Sequence, residues 1–344
     1  MQEICRPEVP VRAGAGPTTG SIGTQSHSGI APNCDCAFTS VHQNNLVNMP
    51  LRMRHGGTLA RTLYRKTMVD HELRQMDKRT WYQPELTRMP SDLRGSFVEL
   101  DCDSATEDFL EQAEAKSESI LLQLWHSLVK LLLGWFFTQT SLNGFLGRGS
   151  MFVFSSEQFA RLVGGRTGGR LLDLGAGDGA VTSQMEPFFD HVSVTEISAP
   201  MRKILARKKY SILEINSWAE NGPWDVISCL NVLDRCSNPK ELLKQIHDSL
   251  TPSGKAIIAI VLPYQPYVET GGKGDHQPEE RLPIEGITYD EQVTSFVTDV
   301  LGPADFQVEK WTRLPYLCEG DLQQAFYWLS DAVFVVRKAT IVSS

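Results

Sequence analysis

From Arg170 onward, apolar and polar positions fall into blocks that predict strand, helix, strand, helix. "RLLDLG" reads as a short apolar strand, "AVTSQMEPFF" as a helix, "HVSVTE" as a second strand and "APMRKILARKKY" as a second helix. "SILEIN" and "WDVISCLNVL" give a third and a fourth strand, and "NPKELLKQIHDSL" another helix. "KAIIAIVLP" is almost wholly apolar, as a parallel strand covered on both faces must be. Such alternation predicts a doubly wound, Rossmann-like α/β sheet, mostly parallel. Near the end, "FQVEKWTRLPY" and "YWLSDAVFVVRK" predict two further strands with no long helix between them, which would form an antiparallel edge.

The first part of the chain has a different character. Residues 1 to 50 are rich in Gly, Ser, Thr, Pro and Asn with little periodicity, and predict a disordered tail. Residues 51 to 105 are polar and mixed, and their pattern assigns no element. Asp108 to Phe137 predicts a helix, and "TSLNGFLGRGSMFVFS" a Gly-rich loop. Ser155 and Gln158 then have the spacing of a capping box at the head of "EQFARLV". The expected organisation is a tail over 1–50, a helical extension over 51–140 and the sheet domain over 141–340. Within the extension, "ILLQLWHSLVKLLLGWFF" has the length of a membrane span. However, Gln123, His126, Ser127 and Lys130 recur along one side at near-helical spacing. The expectation is a helix that covers apolar surface of the sheet domain, with membrane association as the other option.

Composition narrows the partners. The 344 residues carry a formal net charge of −8, so no basic excess exists to neutralise phosphates, and nucleic acid is not an expected partner. The seven cysteines are odd in number and form no paired C-x-x-C blocks, which suits free thiols in a reducing compartment. The histidines form no H-E-x-x-H or H-x-H pair, and no structural metal is expected. "MQEICRPEVPVRAGAG" lacks a basic-then-apolar design, so no signal peptide is recognisable there.

The first predicted strand runs into "LLDLGAGDG", with Asp173, Gly175, Gly177 and Gly179. Glycines at this point let the backbone turn sharply and approach a ligand closely. Their spacing is G-x-G-x-G, whereas the dinucleotide fingerprint is G-x-G-x-x-G. Glu196 ends the second strand, where a carboxylate can take both hydroxyls of a ribose. "LTPSGK" precedes the fifth strand as a turn. Together these features resemble the class I S-adenosylmethionine-dependent methyltransferases, with an NAD- or sugar-nucleotide-binding sheet as the alternative. The resemblance implies S-adenosylmethionine as cofactor. Gly175 and Gly177 would lie against its methionine and ribose part, and Glu196 would accept from the ribose diol. Asp173 would fix the turn or meet the amino group. Asn216 would pair with the adenine edge or line its pocket, unless it serves only the turn. Arg148, in "GRGS", would meet the cofactor carboxylate, unless it is an exposed loop arginine.

In the fourth strand, Asn231 and Asp234 interrupt an apolar run just where the strand should end. In open α/β sheets ligands bind outside the carboxyl ends of the strands, and in this enzyme class that end faces the transferring methyl group. A turn or cap closing the strand is the structural alternative. The strings "TSLNGFLGRGSMFVFS", "LLDLGAGDG", "DVISCLNVLDRC", "VLPYQPYVE", "TRLPYLCEGD" and "DAVFV" are similar to those of the DREV family, over Ile120 to Lys338. That resemblance implies methylation of protein histidine at the pros nitrogen, in alternating histidines separated by one small residue. It also implies that Asn231 and Asp234 hold the target imidazole and that Tyr316 completes its pocket. Glu319 and Asp321 are candidates for attracting the second histidine. Members of the family begin with a hydrophobic signal-like segment and are placed in the endoplasmic reticulum or mitochondrion. "MQEICRPEVP" has no such segment, which also admits the cytoplasm. A methyltransferase with a small-molecule or non-histidine acceptor, and an inactive binding module, are the remaining alternatives.

Overall fold

The computed structural model describes residues 58–133, 139–147, 149–268 and 276–339. The expected tail, 1–50, lies outside the described residues. An eight-stranded sheet organises the rest: β1 (Met151–Phe152), β2 (Arg170–Leu174), β3 (His191–Thr195), β4 (Ser211–Leu213), β5 (Trp224–Leu230), β6 (Leu250–Leu262), β7 (Phe306–Glu319) and β8 (Phe326–Lys338). Their order across the sheet is β1-β7-β8-β6-β5-β2-β3-β4. Strands β4, β3, β2, β5 and β6 run parallel, and β8, β7 and β1 are added antiparallel. This is the doubly wound sheet with an antiparallel edge that the blocks predicted.

Helices cover both faces, and α8 (Ala199–Arg207) follows β3. One face packs against α1 (Thr58–Gln75), α3 (Ser104–Glu118), α6 (Ser156–Val163) and α7 (Ala180–Met185), through Leu73, Leu110, Phe159, Leu162 and Met185. The other packs against α2 (Ser91–Ser96), α9 (Pro239–Ser249) and α10 (Tyr289–Ser295), through Leu93, Leu243, Ile246 and Val293. From Ala256 to Leu262, β6 is buried at every position, as its unbroken apolar run requires of a central strand. The capping box that opens α6 is present in both directions. Ser155 accepts from the Gln158 amide, and Gln158 accepts from the Ser155 amide.

The structure differs from the expected elements in five places. The single helix over Asp108 to Phe137 is instead α3 followed by α4 (Ile120–Leu133), with a break at Ser119, whose ψ of 84° is not helical. Within α4, two of the four predicted polar-side residues and the apolar Val129 are buried. Gln123 and His126 are buried, whereas Leu121 is 83% and Trp125 57% exposed. The break explains part of this burial: Gln123 Nε2 donates to the Lys116 carbonyl near the end of α3 (3.1 Å), one of the acceptors a helix terminus leaves open. The Gly-rich stretch is not all loop, because Gln139–Leu146 forms helix α5 and Met151–Phe152 forms β1. "LTPSGK" is absorbed into β6 as a bulge, with Leu250 opposite Trp224 and Lys255 already opposite Val226. Finally, α10 went unpredicted, although Thr288 and Glu291 make a second capping box. Among the described residues no helix is long and apolar enough to cross a membrane.

Candidate functional site

The winding reverses between β2 and β5, which are neighbours in the sheet but not in the chain. A crevice at such a switch point opens outside the carboxyl ends of the strands. Three carboxyl ends meet there: Leu174–Gly175, Thr195–Glu196 and Leu230–Asn231. Gly175 has φ +72° and donates its amide to Thr195 Oγ1 (3.2 Å), and an added Cβ would lie 2.9 Å from Val232 Cγ2. Gly177 has φ +58° and donates to Glu196 Oε2 (2.9 Å). Both positions are left-handed, where a side chain is strained, and the turn leaves bare backbone facing the crevice.

The two carboxylates singled out beside this turn have different surroundings. Asp173 is buried in β2 and fully engaged within the fold. It accepts from Thr182 Oγ1 on α7 (2.6 Å) and from Ser228 Oγ on β5 (2.7 Å). Burial pushes its carboxyl up to about 6, against the pull of those two hydroxyls. These contacts tie β2 to α7 and β5. Glu196 Oε1 accepts from the Ser198 amide (2.7 Å) while Oε2 holds Gly177. Ile197 is 68% exposed beside it. Ile215 is exposed after β4, next to the exposed Asn216. The pattern analysis passed over both isoleucines; a branched apolar residue next to a polar strand end was the available signal. Arg148 lies outside the described residues.

The β5 end is more elaborate. Asn231 has φ +56°, a left-handed conformation that asparagine tolerates, and its amide N–H donates to the Ala259 carbonyl (3.0 Å). Its side chain does not serve that turn. Nδ2 donates instead to Asp331 Oδ2 on β8, 2.8 Å away and on the far side of β6. Asp234 is buried, with Oδ2 3.1 Å from the Arg235 guanidinium. Burial raises its carboxyl above the usual range, and Arg235 opposes that rise. Asn231 Oδ1, Asp234 Oδ1 and Asp331 Oδ1 are all buried with no hydrogen-bond partner among the described residues. Buried oxygens without partners are an uncommon cost in a folded protein, and those of Asn231 and Asp234 suit a guest that brings N–H or O–H groups.

Tyr316 is on β7, where Leu314 pairs with Asp331, so Tyr316 sits two residues along on the same face as Asp331. Its hydroxyl donates to Met151 Sδ. Met151 Cε in turn would lie 3.6 Å from a Cβ on Gly177. Met151 therefore touches the glycine turn on one side and Tyr316 on the other, a link the pattern of the sequence did not reveal. Asp331 was also missed, although an acid inside the apolar strand "FYWLSDAVFVV" was a visible signal. Glu319 and Asp321, candidates for a second histidine, are engaged in the fold. Glu319 pairs with Lys116 and accepts from the Gly149 amide (2.9 Å), and Asp321 accepts from the Gln323 amide and from Tyr327. A separate cavity of about 300 Å³ lies between α3, β1 and α7, lined by Phe109, Met151, Phe152, Val181, Gln184 and Lys208 among others. None of Glu196, Asn216, Asn231 or Asp234 lines it. Among the described residues no group of His, Cys, Asp or Glu is arranged to hold a metal ion.

The left-handed glycine turn, the Glu196 carboxylate at the end of β3 and the apolar surface at Ile197 and Ile215 suit a nucleoside with a ribose diol and a flat base. Solved structures similar to this chain include a TehB-like SAM-dependent methyltransferase from Corynebacterium glutamicum, at 16% identity over 54% of this chain and 88% of that one, with a TM-score of 0.35. DhpI, solved as its SAH complex, matches at 15% identity over 68% of this chain and 96% of its own, also at 0.35. YcgJ from Bacillus subtilis matches at 13% over 54% of this chain and 98% of its own, at 0.36. Likeness at this level carries no argument about the site. The family comparison is far more extensive: a model of the DREV methyltransferases matches residues 81–338, well over half the chain, and the chain belongs to that family.

Proposed function

We propose that this methyltransferase modifies protein histidine, transferring the methyl group of S-adenosylmethionine to the pros nitrogen of histidines in His-x-His motifs. Methyl transfer itself follows from family membership. The observation that carries the choice of acceptor is the Asp234 carboxylate, buried with an oxygen that has no donor, beside the equally partnerless Asn231 Oδ1. An imidazole suits that pair. It is largely neutral at cell pH, carries one N–H for an acceptor and presents one lone pair as nucleophile.

S-adenosylmethionine supplies an electrophilic methyl on a sulfonium, and the residues of the chain do the rest. Gly175, Gly177 and Glu196 would hold the cofactor, with Asn216 at the base and Arg148 at the carboxylate. Asp234 would accept the tele N–H, which fixes the tautomer, leaves the pros nitrogen unprotonated and stabilises the imidazolium as it forms. Asn231 Oδ1 would orient the ring, and Tyr316, touching Met151 beside the glycine turn, would close the pocket. No strong base is required. The acceleration would come from alignment of nucleophile and methyl group together with the buried counter-charge.

A His-x-His peptide array incubated with S-adenosylmethionine and analysed by mass spectrometry tests this reading. Methylation confined to histidine, with the pros isomer identified on hydrolysis, is the expected result. Methylation of another side chain, or of small molecules alone, would overturn the histidine assignment and leave methyl transfer standing.

A further inference from the structure

We infer that Asp331 is a positioning residue for methyl transfer: its carboxyl holds the Asn231 side-chain amide in one of its two orientations, with Oδ1 turned out as an acceptor for the substrate. The inference rests on the site proposed above and adds to it a residue that does not touch the substrate.

The two side chains come from distant parts of the chain and meet across β6, Asn231 Nδ2 donating to Asp331 Oδ2 at 2.8 Å. Asp331 is completely buried and Asn231 nearly so. An asparagine amide presents oxygen and nitrogen in nearly the same shape, so nothing in packing alone chooses between them. A hydrogen bond does choose. An ionised carboxyl can only accept and so fixes the orientation in which Nδ2 faces it, the orientation the structure shows, and a protonated one accepts there at its free oxygen. The opposite orientation would need Asp331 to donate a carboxyl proton to Asn231 Oδ1, and it would aim an NH₂ at an incoming ring N–H.

Asp331 itself is held in place. Its register positions are Val261 on β6 and Leu314 on β7, and Tyr289 donates to its backbone carbonyl (3.1 Å). The neighbouring cation, Arg313, is committed elsewhere, over the Tyr289 ring and to Ser330 Oγ (2.9 Å). Among the described residues no cation pairs with the acid, and the nearby Asp234 repels its charged form. Burial, reinforced by Asp234, pushes Asp331 up to about 8, with Asn231 pulling the other way. The group is thus mostly a neutral acid at cell pH. A carboxyl buried in an apolar strand is costly as structure alone, and its hydrogen bond from Asn231 Nδ2 offsets part of that cost.

The test combines turnover, cofactor affinity and the Asn231 amide itself. On a His-x-His peptide, Asp331→Asn should keep turnover within about threefold, because its side-chain oxygen can still accept from Asn231. Asp331→Leu should lower kcat by about 10–100-fold, the scale of a misplaced reacting group, with S-adenosylmethionine affinity unchanged by calorimetry. The loss should vanish when Asp331→Leu is combined with Asn231→Ala, since nothing then remains to orient; a purely structural role would lower turnover equally in both backgrounds. In asparagine-labelled protein, the Asn231 side-chain NH₂ should be shielded from solvent exchange in the wild type and in Asp331→Asn, and exposed to exchange in Asp331→Leu. That readout needs no substrate. If the wild type methylates no histidine peptide, the proposed function fails while the amide signal still decides the role of Asp331. A freely exchanging Asn231 amide in the wild type overturns the inference, as does an Asp331→Leu loss that persists in the Asn231→Ala background. Should the leucine variant not fold, the wild-type and Asp331→Asn amide signals decide it.

Discussion

Replacing Asp331 with asparagine should change how stability responds to pH, by an amount the structure sets. In the unfolded chain the carboxyl titrates near 3.8, and in the folded protein burial holds it at about 8. Between those values the native protein keeps a proton that the unfolded chain has released. Stability due to this group is therefore fully present below about pH 4 and is lost as pH rises towards 8. One proton corresponds to about 1.4 kcal/mol per pH unit, so the whole span is on the order of 5 kcal/mol. Asp173, also raised, to about 6, acts in the same direction over the lower half of the window, and it is common to both proteins. The difference between wild type and Asp331→Asn isolates the single group. Urea denaturation followed by tryptophan fluorescence, at several values from about pH 5.5 to 8.5, should show the wild type losing stability relative to the variant by about 1.4 kcal/mol per unit. The two curves should become parallel above about pH 8.5. Parallel curves across the whole range would mean that Asp331 is already ionised in the native state, and would refute the argument from its burial.

Asp234→Asn should keep S-adenosylmethionine affinity and cut turnover by ~10²–10⁴-fold, because an amide can donate to the ring where the carboxylate only accepts; near-equal turnover on one His-x-His peptide would reduce Asp234 to a turn residue. Glu196→Ala should weaken the cofactor by about 1.5–3 kcal/mol through lost charge-assisted hydrogen bonds, measured by calorimetry. Gly175→Arg should abolish cofactor binding, since its φ of +72° and the 2.9 Å approach of Val232 to an added Cβ leave no room for a side chain. Leu121→Gln on the exposed side of α4 should change stability by no more than about 0.5 kcal/mol; a larger loss in thermal unfolding would show that this side is covered.

The winding of the sheet was legible because it rests on local periodicity. Apolar runs of strand length, separated by amphipathic helices and bounded by Gly, Pro and capping residues, specify a doubly wound sheet whatever their later partners. The glycine turn was legible for a related reason: backbone that adopts positive φ restricts the residue type at the position itself. Long-range consequences were not legible in this way. The periodicity of Ile120 to Phe137 marked Gln123 and His126 as sharing one side. It could not say that they turn inward, since that depends on the break at Ser119 and on the Lys116 carbonyl that receives Gln123. Nor could it reveal that Met151 joins the glycine turn to Tyr316, or that Glu319 is spent on Lys116 and Gly149. Asp331 shows the division most plainly. An acid inside an apolar strand can be seen in the sequence, but its partner is Asn231, 100 residues away. Only the pairing of β8 beside β6 brings that carboxyl to the end of β5, because hydrogen-bond partners across a sheet are set by strand order and register, which no local pattern contains.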